Sequence, residues 1–294
     1  MHQPMIVCFD TSGINRLMDD PDRDRLTSVL LGNFTVYITA LNIIEIGKTA
    51  CPERREQLRA FEKRLAKKFE PLDLPNQLVQ RACLAFHKGT DRIVVTIGEA
   101  SRQLWGTMSA PHSVGDPERL ELTRWADQLE SSNAAANTVL RSELDRIFAS
   151  NPAARPRTPK QLLRIYMSGG WLARYRVTAE IYKRATGRVL PLSQLDNFLN
   201  ARPPIWPLYL AAEAYSIYYG AVWGRGLGPR NPAGMLDLWA AVYLPFCDVF
   251  VTHDTKKGGQ LSALRLLNAF NSRRPRSHIV RWSAFRAFLS GKGV

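Results

Sequence analysis

The sequence predicts an α/β fold in which one parallel β-sheet, joined by crossover helices, carries a large all-helical insertion. Three observations lead there. Short apolar runs suited to buried strands, MIVCF (5–9), FTVYIT (34–39), DVFVTHD (248–254) and HIVRW (278–282), are each followed by a segment of helical period. These alternations lie at the two ends of the chain, and strand–helix alternation implies parallel strands with helical crossovers. Between them, from about residue 75 to 230, helical periods continue with almost no strand signal.

The elements follow in order. MIVCF is too short for a helix and suits a fully buried strand. Helices are expected from Ser12 to Asp20 and from Asp22 to Leu31, before the aromatic and β-branched strand FTVYIT. ALNIIEIGKTA predicts a helix ending near Pro52. ERREQLRAFEKRLAKKF then predicts an amphipathic one, with Leu58, Phe61, Leu65 and Phe69 on one face. EPLDL (70–74) reads as a third short strand. Past the helical middle, Asn231-Pro232 offers an N-cap and first-turn pair for a helix through MLDLWAAVYLPFC. DVFVTHD, LSALRLLNAF, HIVRW and SAFRAFL then alternate strand, helix, strand, helix. Residues 1–74 and 231–294 are thus expected to form the α/β core, with 75–230 inserted as helices. The apolar stretch from Pro203 to Gly224 has the length of a membrane span. Its prolines and Glu213 favour a buried core helix instead.

The 294 residues are 45% hydrophobic and 22% charged, as in ordinary soluble globular chains. The net charge of +14 is not ordinary and favours a polyanionic partner. It is concentrated: Arg141 to Arg188 holds eleven Lys or Arg against three acids, and Thr255 to Val294 holds nine and no acid. Tyr166, Trp171, Tyr175 and Tyr182 interleave the first stretch, a pattern suited to stacking single-stranded bases beside cations. Arg174, Arg176, Lys183 and Arg184 are its candidate nucleic-acid contacts. Phe270, Trp282 and Phe285, in the second stretch, are expected in the core. Cys8, Cys51, Cys83 and Cys247 show neither Cys-x-x-Cys nor zinc spacing and suit a reducing compartment. The N-terminus lacks the pattern of a secretory signal, so a cytoplasmic protein without membrane association is expected.

In open α/β sheets ligands bind beyond the carboxyl ends of the strands. Asp10 ends the first strand, Asp254 ends DVFVTHD, and Glu45 lies in the helix after FTVYIT. Asp237 sits among Met, Leu and Trp just before the Asp254 strand, where an acid is costly unless paired or bound to a cation. Asp10 alone also fits a helix N-cap or a phosphoacceptor; an aspartic-protease motif is excluded because Gly13 stands one position too late. Four convergent carboxylates would repel one another, and hard cations such as Mg²⁺ or Mn²⁺ relieve that. Asp248, beginning its strand, falls at the opposite edge and reads as structural, as does His253.

IVCFDTSGINRLM, YITALNIIEIGK and MLDLWAAVYLPFCDVFVTHD resemble PIN-domain nucleases, including VapC-like toxins. The resemblance covers about residues 4–50 and 231–290 and leaves out the helical middle, far longer than in compact toxins. It implies a three-layer α/β/α core and metal-dependent phosphodiester hydrolysis, usually of RNA. Asp10, Glu45, Asp237 and Asp254 would be the catalytic and metal-binding acids for one or two Mg²⁺ or Mn²⁺ ions, with Ser12 and Thr252 bonding to them or to phosphate. It also implies candidate partners: RNA, an antitoxin-like or regulatory protein, and a second copy of the chain. A structure-specific DNA nuclease and a non-catalytic nucleic-acid-binding module are the rival readings.

Overall fold

The computed structural model describes residues 4–66, 71–90, 92–96, 116–168, 171–201, 204–223, 234–254, 259–273 and 275–291. Its centre is a four-stranded, wholly parallel sheet in the order β2-β1-β3-β4, formed by β1 (Met5–Phe9), β2 (Phe34–Tyr37), β3 (Val249–Thr252) and β4 (His278–Arg281). Both central strands have partners on each side. Val7 lies opposite Val36 and Val249, and Phe250 opposite Ile279. The two ends of the sequence therefore meet in one sheet, with β1 and β3 as direct neighbours.

Strand period places alternate side chains on opposite faces. Val7, Phe9, Val36, Val249 and Val251 enter one buried cluster. Against them pack α1 (Thr11–Met18), α2 (Arg23–Asn33), α3 (Ala40–Gly47), α4 (Pro52–Leu65) and α13 (Trp282–Gly291). Cys8, Phe250 and Ile279 point the other way into a second cluster. That cluster is filled from α5 (Pro75–His87), α7 (Pro159–Ser168), α8 (Trp171–Thr186), α9 (Leu195–Leu199), α10 (Ile205–Ile217), α11 (Met235–Trp239) and α12 (Gln260–Leu267). Ala126 of the long α6 (Asp116–Ser150) also joins it. The middle of the chain thus shares a continuous core with one face of the sheet. Truncating Phe9 or Phe250, both essentially fully buried, would cost about 3–5 kcal/mol.

Several boundaries differ from the sequence expectation, each for a local reason. FTVYIT ends its pairing at Tyr37 because Thr39 turns to cap α3, where its hydroxyl accepts the Asn42 N–H. EPLDL makes no strand among its described residues. Leu72 forms only isolated bridges, to Thr39 and to Thr96. The helix over MLDLWAAVYLPFC is α-helical only to Trp239 and continues as a 3₁₀ turn, Ala240–Phe246, containing Pro245. Proline there cannot supply an α-helical N–H. Asn231, Pro232 and Phe69 lie outside the described residues. The Pro203 stretch is largely the buried α10, continued by a π-helical turn at Tyr218–Val222. No helix among the described residues is long and apolar enough to cross a membrane.

Candidate metal centre at the carboxyl edge of the sheet

Asp10 leaves β1 by donating its backbone N–H to Val251 O at 3.0 Å, which sets its side chain beside the end of β3. There the carboxylate is held from three directions. Gly13 N–H donates to Oδ1 at 2.6 Å, while the hydroxyls of Ser12 and Thr252 each donate to Oδ2 at 2.7 Å. Asp10 is thus an N-cap of α1, as one reading of the sequence allowed, and is also tied to β3 across 242 positions. Ser12 and Thr252 hold the loop after β3 as well, since their oxygens accept the backbone N–H groups of His253 and Asp254. A side chain at Gly13 would put its Cβ 3.0 Å from Val251 O and 3.1 Å from Asp10 Oδ1, so any larger residue would have to push α1 back from β3 by a few tenths of an ångström.

The other three acids stand around this point. Asp254 accepts the Gln260 N–H at 2.9 Å, which fastens the loop to the start of α12. Gly259 lies so close that a Cβ there would meet Asp254 Oδ2 at 2.6 Å. Asp237 accepts the Gly234 N–H at 3.1 Å at the start of α11. Glu45, on α3, is bonded by the Thr11 hydroxyl. All four residues are half-buried.

Their charges act on one another. Burial raises Asp10 to about 6 against the pull of the Thr252, Ser12 and Gly13 bonds, and the Asp254 charge adds to the rise. Burial pushes Glu45 up to about 8, with the charges of Asp237 and then Asp10 raising it further and the Thr11 bond and Lys48 opposing. Unlike charges nearby would lower these values; the like charges raise them.

Asp10 and Glu45 line a small cavity, close to the size of one water molecule, together with Thr11, Asn42 and Gln260. Gln260 is 3% exposed, and its Oε1 has no hydrogen-bond partner. A buried carbonyl left without a donor costs about 1–3 kcal/mol, and a cation or its water would satisfy it. Phe9, Leu41, Leu236, Ala240 and Phe250 make much of the remaining lining apolar, while the two carboxylates and the orphaned carbonyl are the groups that suit a hard divalent ion. Among the described residues, however, no three acids, histidines or cysteines stand close enough together to form a complete metal cluster. Asp237 and Asp254 flank the cavity rather than line it.

Thr11, Asn42 and Gln260 were not singled out in the sequence. Asn42 deserved notice as an amide in the apolar run ALNIIEI. It is 2% exposed and donates to Phe9 O at 3.0 Å and Thr11 Oγ1 at 3.3 Å, joining α3 to the end of β1. Nothing local distinguishes Gln260. Asp248 is structural, as expected: it accepts the Ile6 N–H at the opposite edge and pairs with Arg273.

The basic stretch is only partly described. Lys183 and Arg184 are exposed on α8, where Arg184 pairs with Glu180 at 3.0 Å. The side chains of Arg174 and Arg176, and that of Trp171, lie outside the described residues. Tyr166 and Tyr182 are 9% and 3% exposed, which corrects their reading as stacking platforms. Tyr182 instead meets His87 Nδ1 at 3.1 Å and packs edge-on against Phe86 and Phe198. Trp282 and Phe285 are in the core as expected. Comparisons with family models, curated proteins and solved structures find no match.

Proposed function

We propose that this chain is a Mg²⁺- or Mn²⁺-dependent endonuclease with a PIN-like core, acting first on RNA. The single observation that supports the reading is the cavity shared by Asp10 and Glu45 beyond the end of β1, with the proton affinity of each raised by burial and by a neighbouring acid, Asp254 for Asp10 and Asp237 for Glu45. The basic charge of the chain supplies attraction for the polyanion.

A bound divalent ion would supply Lewis-acid stabilisation of the scissile phosphate and a more acidic water. Asp10 and Glu45 would hold it from the cavity they share, with Asp237 and Asp254 beside them. The protein's own part is positional. Three donors fix Asp10 in one orientation, and the Thr11 hydroxyl stands near enough to Glu45 to favour its charged form. With its pKa near 8 in the metal-free state, Glu45 can carry a proton at neutral pH and exchange it with an attacking water or a leaving oxygen.

A second reading, a nucleic-acid-binding module without catalysis, draws on the open spacing of the acids. One assay separates the two. Single-stranded RNA, tRNA and branched DNA are incubated with parent and Asp10→Asn protein, with Mg²⁺ or Mn²⁺ and with chelator. Metal-dependent cleavage by the parent alone supports the nuclease. Binding of RNA with no cleavage of any substrate supports the module.

A further inference from the structure

A cleft of about 360 Å³ opens between two short irregular turns. One wall is the segment Pro152, Arg155, Pro156 and Arg157, which follows α6; the other is Val222 and Trp223, at the end of the π-helical turn that extends α10. The walls are tied together. Arg155 Nη2 donates to Val222 O at 2.9 Å, and the Tyr218 hydroxyl donates to Arg157 O at 2.8 Å. Arg155 also lies over the Phe148 ring, 5.7 Å from its centroid. The cleft is therefore a built feature rather than a gap between loose loops.

Its chemistry is specific. Among the described residues no acid lines it, while two guanidinium groups do. Arg155 spends one donor on Val222 O, and the Arg157 guanidinium makes no ion pair among the described residues. Trp223 is 50% exposed although tryptophan is usually well buried. Its indole is positioned by Tyr218, 5.9 Å away between ring centroids. π-helical turns also occur often at functional sites.

We infer that this cleft binds one unstacked nucleotide of a single-stranded nucleic acid, with the base on Trp223 and its phosphate on Arg157 and Arg155. A free phosphate would leave the indole unused. A duplex would not fit, because its bases are stacked on one another and unavailable to a side chain. Ligand clefts of about 300–1,000 Å³ are usual for small groups, so the volume suits one nucleotide and not a helix. The +14 charge of the chain points to a nucleic acid rather than an acidic peptide. The inference rests on the nucleic-acid reading above and names a grip for a substrate strand that shares no lining residue with the carboxylate cavity.

The test is fluorescence anisotropy with a labelled single-stranded RNA of about 12 nucleotides, in chelator so that no cleavage intervenes, at several salt concentrations. Trp223→Leu should weaken binding about tenfold, and Trp223→Phe should retain most of the affinity because stacking survives. Arg157→Gln should weaken binding and reduce the salt slope by about 0.7, the loss of one phosphate contact on a single strand. Circular dichroism and thermal melts establish that each variant is folded. Affinities and slopes equal to the parent's in Trp223→Leu and Arg157→Gln would overturn the inference. So would a Trp223→Phe variant as weak as Trp223→Leu, or an oligoglutamate that displaces RNA through Arg157 while Trp223 is dispensable. Metal-dependent cleavage with both variants binding normally would remove the cleft and leave the nuclease. Losses in both variants without cleavage by the parent would do the reverse.

Discussion

Replacing Asp10 with Asn in the metal-free protein should change the pH dependence of stability in a defined direction. The folded Asp10 carboxyl titrates near 6, above its ordinary 3.8, chiefly because of burial. A folded pKa above the unfolded one means that the folded state holds the proton more tightly. The stability tied to this group is then full below about pH 4 and is lost as pH rises through 6. Once the group is ionised in both states the loss is about 3 kcal/mol. Asparagine has the shape of the protonated acid and never ionises. Its one acceptor oxygen replaces two, so the bonds from Gly13 or from the hydroxyls are weakened at every pH, and the pH-dependent part of the difference should move in the variant's favour by about 2 kcal/mol between pH 4.5 and pH 8. Relief of Glu45, which the Asp10 charge also raises, acts in the same direction. Urea unfolding in chelator at pH 4.5, 6 and 8 measures the difference. Parallel stability curves for the two proteins across this range would show that Asp10 does not titrate as described.

Saturating Mn²⁺ at about one hundred times its dissociation constant should add about 2.7 kcal/mol to the parent. In a thermal melt at pH 7.5 this reads as a rise of about 5 °C or more, and Asp10→Asn should show little of it. Gly259→Ala would press a methyl group into Asp254; cleavage should fall at least tenfold while circular dichroism stays that of the parent, and full activity would show that the Asp254 position is not critical. Gln260→Leu removes a buried acceptor that has no partner, so chemical denaturation of the metal-free protein should show a gain of about 1 kcal/mol. A clear loss would mean that the Gln260 Nε2 bond to Asp237 O, or a water on Oε1, outweighs the orphaned acceptor.

The sequence made some of this legible and hid the rest for physical reasons. MIVCF, an apolar run of which Val7, Cys8 and Phe9 are buried, marks β1 to the residue, and the acid that follows it is visible as the end of a strand. Asp10, Glu45, Asp237 and Asp254 could be placed at one edge because that placement depends only on which element each one follows. How closely they approach was not legible, since it is set by Gly13, Gly259 and the buried Gln260, which act through space and carry no periodic signal. Tyr166 and Tyr182 misled because an aromatic beside a cation has the same local pattern on a wet face and at the rim of a core. Packing against residues such as Phe198, distant in sequence, decides between them. Leu72 misled because a single bridging residue in an apolar, proline-flanked segment looks like the start of a strand.

The central claim is that these carboxylates are gathered to hold a divalent cation. An anomalous difference map from crystals grown with Mn²⁺, recorded at the manganese edge, tests it most directly. A peak is expected in the cavity between Asp10 and Glu45, with an Asp10 oxygen within direct ligand distance and the Gln260 carbonyl facing it or its water. A map with no peak at this edge of the sheet, at Mn²⁺ concentrations that support cleavage, would contradict it.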